Sequence, residues 1–270
     1  NSVSYAQVVD MYLLAGQSNA EGRGSAADLP ADLSAATFPS VSLYYNGAWV
    51  PEQTGTYGFG PELMMSRTLT EQFPDRNIVV VKEAAGSTTL VESWKAPDEE
   101  GNNAGFMYTR LLNSIQSAIA SFVPGTTVNI RGLAWMQGET DAWIPDGSAA
   151  AVYEQNLTDF ISALRKDLNI SDLPVSIGLI GTNWQYMATV RGAQCRVADS
   201  DAHAGWFDTA DLPLLSDGAH YNSAGQLTLG ERFAESLIEL EVPVNTPEPG
   251  TMVLLSAMSV ILVRRRNKAA

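Results

Sequence analysis

The chain has 270 residues, 45% of them hydrophobic and 17% charged, which is ample for an α/β domain with a substantial core. Its net charge of −14 argues against a nucleic-acid partner, which would need a basic face. The single cysteine, Cys195, rules out an internal disulfide and a cysteine metal cluster, and only two histidines, His203 and His220, can serve a mechanism that needs an imidazole.

Ser4-Tyr5-Ala6 has the small residues of a signal-peptide cleavage site. Val8 to Leu14 then reads as a buried strand that ends in the tight turn Gly16-Gln17-Ser18-Asn19. Ser18 lies past the carboxyl end of that strand, where open α/β sheets bind ligands, but serine is also a common helix cap. An Ala-rich loop runs through Pro30 and Pro39, and Val41 to Tyr45 with Trp49-Val50 forms a hairpin about Asn46-Gly47. Gly55 to Gly60 is a loop, Pro61 opens a helix over Glu62 to Phe73, and Pro74 ends it. Ile78 to Val81 is a second strand, running into Ala84-Ala85-Gly86-Ser87-Thr88-Thr89. A loop from Trp94 to Asn103 precedes a helix over Phe106 to Phe122, whose apolar residues recur every three or four positions. Val128 to Met136 is the third strand and leads into Gln137-Gly138-Glu139-Thr140-Asp141. A helix over Ala149 to Leu168, a strand over Pro174 to Ile180, a helix over Ala188 to Ala198 and a short strand over Ala204 to Asp208 follow. Asn222 caps a last helix, Ser223 to Leu240. This alternation predicts a doubly wound, mostly parallel sheet covered by helices on both faces.

The folded part is expected to span 1–242, with a Pro-rich linker over 243–251 and an apolar segment with a basic end over 252–270. Met252 to Val263 is shorter than the roughly 20 apolar residues of a full membrane span, and Arg264-Arg265-Arg266 marks a cytoplasmic flank. Pro247-Glu248-Pro249, the apolar stretch and the arginines together resemble a bacterial sorting signal of the PEP-CTERM type. That resemblance implies export, transient membrane anchoring, processing by an exosortase-type enzyme, and a mature chain at the cell surface or outside the cell.

Four segments carry chemistry. Asp217 and His220 stand three apart in Asp217-Gly218-Ala219-His220, so a turn puts both side chains on one side. Asp217 can hold one imidazole nitrogen while the other faces Ser18, the orienter, base and nucleophile of a serine hydrolase. The backbone N–H groups of Gly86 and Ser18 and the side-chain amide of Gln137 can face a developing oxyanion. Glu139 and Asp141 admit three readings: a glycosidase pair, a cation site, or buttresses of the Gln137 loop and partners of Arg23 or Arg131. His203 has no aspartate partner of this kind and reads as structural. Trp94, Trp143 and Trp184 lie after strands and can either stack on sugar rings or pack.

Gly16-Gln17-Ser18-Asn19, Ala85-Gly86-Ser87-Thr88, Trp135-Met136-Gln137-Gly138-Glu139-Thr140-Asp141 and Asp217-Gly218-Ala219-His220 together resemble the SGNH hydrolases. Within them the match is to the sialic-acid-specific acetylesterase and carbohydrate esterase family six group, from about Met11 to Leu237. The resemblance implies a flavodoxin-like three-layer α/β/α sandwich. It makes Ser18 the nucleophile, His220 the base and Asp217 its partner, with Ser18, Gly86 and Gln137 as the oxyanion hole and Gln17, Asn19, Glu139 and Asp141 as support. No metal or organic cofactor is expected, and the expected substrate is an acetylated oligo- or polysaccharide. Ala20 and Ala85 depart from the family pattern, standing where relatives have methionine and glycine. A non-catalytic glycan-binding protein on the same fold, or an SGNH lipase or thioesterase, is the alternative.

Overall fold

The computed structural model describes residues 7–30, 33, 41–50, 58–181 and 183–241. The cleavage-site residues Ser4 to Ala6, most of the loop through Pro39, Gly55 to Tyr57, the linker and the apolar tail lie outside the described residues. In chain order the strands are β1 (Val8–Gly16), β2 (Val41–Tyr45), β3 (Ala48–Val50), β4 (Ile78–Ala84), β5 (Thr127–Met136), β6 (Val175–Gly178) and β7 (Ala204–Phe207). The helices are α1 (Ser18–Glu21), α2 (Glu62–Gln72), α3 (Phe106–Ala120), α4 (Glu139–Trp143), α5 (Ser148–Ala151), α6 (Tyr153–Leu168), α7 (Met187–Ser200) and α8 (Ser223–Glu241).

The strands form one sheet in the order β3-β2-β4-β1-β5-β6-β7, parallel throughout except for β3, which returns antiparallel from β2. With the β2–β3 hairpin set aside, chain order across the sheet is second, first, third, fourth, fifth, the flavodoxin-like winding. The connection reverses direction around β1, and that switch opens a crevice at the carboxyl end of the central strand.

β1 is buried on both faces, so its sequence is an apolar run. Its side chains still alternate. Val9, Met11, Leu13 and Ala15 pack with α3, α6 and α7 residues such as Leu111, Phe160 and Val190. Tyr12 and Leu14 face α2 and α8 through Met65, Leu69, Phe233 and Leu237. Burying each of these large side chains contributes about 1.5–3 kcal/mol, and the two layers fix the sheet between them.

The register places the site. Gly16 pairs with Ala84 on β4 and with Met136 on β5, so all three strands end level. Gly16 has φ +147°, and a Cβ there would lie 1.9 Å from the Met136 carbonyl oxygen. Only glycine fits, and the chain turns sharply enough for the Gln17 N–H to donate to that carbonyl at 2.9 Å.

Three differences from the sequence reading have a clear physical cause. β4 runs past Val81 to Ala84, because the buried Lys82 and Glu83 both find ionic partners. The expected helix over Ala149 to Leu168 is broken at Val152 into α5 and α6. The short α4 was not expected at all, since five residues carry too little periodicity to be read.

Candidate active site

Ser18 is the first residue of α1 and caps nothing; the residue before the helix, Gln17, has extended backbone. The Ser18 hydroxyl is instead 3.0 Å from Nε2 of His220. His220 Nδ1 is 2.7 Å from Asp217 Oδ2. With Nδ1 protonated and donating to the carboxylate, Nε2 is left as the acceptor for the Ser18 O–H. Asp217 Oδ1 accepts from the N–H groups of Ala219 at 2.9 Å and His220 at 3.0 Å, which folds the four residues into a tight turn. The turn is closed by the Leu215 N–H donating to the His220 carbonyl at 2.7 Å, and Asn222 Oδ1 caps α8 by accepting from Gly225 N–H at 3.0 Å. Desolvation raises the Asp217 carboxyl, but the hydrogen bonds from the His220 ring and the two backbone N–H groups outweigh it and leave the pKa at about 2. Asp217 is therefore a carboxylate at neutral pH.

The residues flanking Ser18 hold the two neighbouring loops. Gln17 Oε1 accepts from Gly138 N–H at 3.1 Å and Thr140 N–H at 3.3 Å, tying the start of α4 to β1. Asn19 Nδ2 donates to Glu139 Oε1 at 2.8 Å and to the Ala219 carbonyl at 3.2 Å, while its Oδ1 accepts from Tyr221 N–H at 3.1 Å. Asn19 thus joins the Glu139 loop to the His220 turn.

Gly86 is exposed just past the end of β4, and a Cβ on it would lie 3.6 Å from the Ser18 Cβ. Its N–H and that of Ser18 have no acceptor among the described residues.

Gln137 differs from expectation. It is fully buried, and its Nε2 donates to Asp141 Oδ2 at 2.6 Å and to the Thr88 carbonyl at 3.0 Å. Nε2 also lies 3.3 Å from Gln17 Oε1, so three protein acceptors share its two hydrogens. The Tyr153 hydroxyl bonds both its Oε1 and its carbonyl oxygen, and Gln194 Nε2 donates to the same carbonyl at 3.1 Å. Asp141 also accepts from Leu90 N–H at 3.0 Å. Gln137 and Asp141 are therefore a bracket that fixes the loop carrying Gly86.

Neither acid of the Glu139–Asp141 pair meets an arginine. Arg23 pairs with Glu21 at 2.9 Å, and Arg131 pairs with Asp10 at 2.8 Å. Desolvation pushes both the Glu139 and the Asp141 carboxyl up from the ordinary range. No group of residues suited to a metal ion occurs among the described residues. His203 is exposed just before β7, the edge strand, away from the central strands that carry the site.

The tryptophans divide. Trp94 is fully buried and packs edge-on against Trp135 at 5.1 Å, so it belongs to the core. Trp143 and Trp184 line a cavity of about 260 Å³ together with Ser18, His220, Ser87 and Glu139. Lys82, which the sequence reading passed over, lies beneath α1. Its Nζ donates to the Glu21 carbonyl and to Glu62 Oε2, both at 2.7 Å. A lysine and a glutamate in an apolar strand were the available signal.

The model of the carbohydrate esterase, sialic acid-specific acetylesterase family matches residues 8–239. A protein of Arabidopsis thaliana described as a probable carbohydrate esterase is 26% identical over 182 residues, covering 67% of this chain and 64% of that protein. The match thus spans a little under two thirds of that relative's length. The crystal structure of an Arabidopsis thaliana protein superposes with a TM-score of 0.72 at 24% identity, over 86% of this chain and 99% of the other. That of a carbohydrate acetylesterase from Xanthomonas citri superposes with 0.68 at 19% identity, over 86% and 56%. The sheet order, the level strand ends and the family match along nearly all of the described chain lead to one assignment: the chain belongs to the carbohydrate esterase, sialic acid-specific acetylesterase family.

Proposed function

We propose that the chain is a serine esterase that removes O-acetyl groups from a carbohydrate through an acetyl-enzyme. The observation that supports this most directly is the continuous chain from Ser18 Oγ through His220 to Asp217, at 3.0 and 2.7 Å. In this reading Ser18 Oγ attacks the ester carbonyl as His220 Nε2 takes its proton. The backbone N–H groups of Ser18 and Gly86 stabilise the oxyanion. His220 then returns the proton to the departing sugar hydroxyl, leaving acetyl-Ser18, and the same histidine activates the water that hydrolyses it. Asp217 holds the imidazole in the tautomer that accepts from Ser18 and stabilises the imidazolium.

The test is hydrolysis of p-nitrophenyl acetate, butyrate and octanoate by residues 1–243, with Ser18→Ala alongside. We expect acetate to be preferred, the variant to fold as wild type, and its turnover to fall by about 10⁴-fold or more. An active Ser18→Ala enzyme would remove the nucleophile from the scheme, and preference for octanoate would favour a lipase. As part of the same proposal the tail resembling a sorting signal directs export. Recovery of the full chain solely from the cytoplasm of its source cells would contradict that part.

A further inference from the structure

Trp143 ends α4 with its indole 60% exposed, although it sits on a braced element beside Ser18. The Tyr186 N–H donates to the Ala142 carbonyl at 2.9 Å, and the Tyr186 hydroxyl donates to the Pro145 carbonyl at 2.9 Å. Asn183 Nδ2 donates to the Gly218 carbonyl at 2.8 Å. The segment carrying Trp184 is thus tied on one side to the helix of Trp143 and on the other to the turn of His220. Trp143 stands exposed at the cavity, and Trp184 is half-buried there, its indole packed in part against the core. Rigid aromatic faces beside a few polar groups suit the C–H face of a pyranose ring.

The charges in the same cavity narrow the class of sugar. None of the residues lining it is lysine or arginine, and one of them is the buried acid Glu139. Arg23 lies beside Gly86, 3.5 Å from the position of a Cβ that would stand 3.6 Å from the Ser18 Cβ, and its guanidinium is already occupied by Glu21 and the Gly22 carbonyl, each at 2.9 Å. The segments 31–40 and 51–57 contain neither lysine nor arginine. Among the described residues a sugar carboxylate would therefore meet no cation free of an acidic partner, and burying it unpaired is costly. The net charge of −14 opposes its approach as well.

We infer that Trp143 and Trp184 form an aromatic subsite for the pyranose ring of an uncharged acetylated glycan, and that the site discriminates against acetylated sugars bearing a carboxylate, sialic acids among them. The inference rests on the esterase reading above. Its test compares kcat/KM for an O-acetylated methyl glucoside, the matching methyl glucuronoside, O-acetylated sialic acid and ethyl acetate, in wild type, Trp143→Ala, Trp143→Phe and Arg23→Ala. The glucoside should be preferred over both anionic sugars by at least about tenfold. Trp143→Ala should lower the glucoside to ethyl acetate ratio by about tenfold, and Trp143→Phe should restore most of it. Equal or faster turnover of an anionic sugar, lost in Arg23→Ala, would overturn the inference by making Arg23 a carboxylate receptor. An unchanged ratio in Trp143→Ala would overturn the aromatic subsite. Failure on ethyl acetate and all the sugars would instead refute the esterase reading itself.

Discussion

Replacing Lys82 by methionine tests how the nucleophile's helix is held. Lys82 and Glu62 are 2% and 3% exposed, and their 2.7 Å contact is accompanied by a Gly60 N–H donated to Glu62 Oε1 at 2.9 Å. Methionine fills the space of the lysine stem but leaves the Glu62 charge buried with a single backbone donor. Orphaning one member of such a pair costs about 3–5 kcal/mol. For a domain of this size each kcal/mol lowers Tm by about 2–4 °C, so Lys82→Met should melt about 6–20 °C below wild type. Adding Glu62→Gln removes the charge and keeps an acceptor for Gly60, and should restore at least half of that loss. Activity should separate from stability. Lys82 Nζ is bonded to the carbonyl of Glu21, the last residue of α1, and neither variant replaces that bond. A mispositioned nucleophile costs up to about 10²-fold, so kcat on p-nitrophenyl acetate, measured well below both transitions, should stay depressed in the double variant. A Tm drop of less than about 3 °C for Lys82→Met would mean that Glu62 sheds its charge cheaply. Full recovery of kcat in the double variant would mean that Lys82 acts on stability alone.

Asp217→Asn should reduce kcat by up to about 10⁴-fold, because an asparagine amide donates to Nδ1 and moves the imidazole proton to the nitrogen facing Ser18; a loss of less than tenfold would show that His220 keeps its tautomer unaided. Gln137→Met and Asp141→Asn should lower kcat by factors within about fivefold of each other, since both break the bracket behind the Gly86 loop, whereas removing a true oxyanion donor costs about 10²–10³-fold; a hundredfold gap between the two variants would put the Gln137 amide on the oxyanion. Burial raises the Glu139 carboxyl, so the folded state binds its proton more tightly than the unfolded chain, and stability from this group falls as pH rises above about 4.3 toward the raised folded value. Thermal melts of Glu139→Gln over that range should gain on wild type as pH rises, and parallel pH dependences would refute the shift.

What could be read from the sequence was what short-range chemistry dictates. The apolar run ending at Gly16, the turn Asp217-Gly218-Ala219-His220 and the cap Asn222 each depend on a few neighbouring residues. Pairing His220 with Ser18 across 202 positions was still possible because the chain has only one other histidine. The rest depended on contacts that no local pattern announces. Gln137 looks like a free donor at a strand end until Tyr153, 16 residues on, holds its Oε1 and turns its Nε2 toward Asp141, while Gln194, 57 residues on, holds its main-chain carbonyl. Trp94 and Trp143 look alike in the sequence. One becomes core because Trp135 and Phe160 close over it, and the other is left at the cavity mouth because α4 ends there.

The tripeptide Gln17-Ser18-Asn19 explains how the site is assembled. The two amides beside the serine are buried; Gln17 faces the β5 loop, and Asn19 touches both that loop and the His220 turn. Gln17 receives the N–H groups of Gly138 and Thr140, and Asn19 receives that of Tyr221 while donating to Glu139 and Ala219. Withdrawing either loop would leave buried donors and acceptors without partners, at about 1–3 kcal/mol for each group. The β5 loop and the His220 turn are therefore docked against the nucleophile by the same hydrogen bonds that satisfy its neighbours. Ser18 is positioned by this accounting for buried polar groups more than by the strength of its own bond to His220. For that reason Asn19, which touches both loops, should couple energetically to Glu139 and to the Asp217–His220 turn more strongly than either couples to the other.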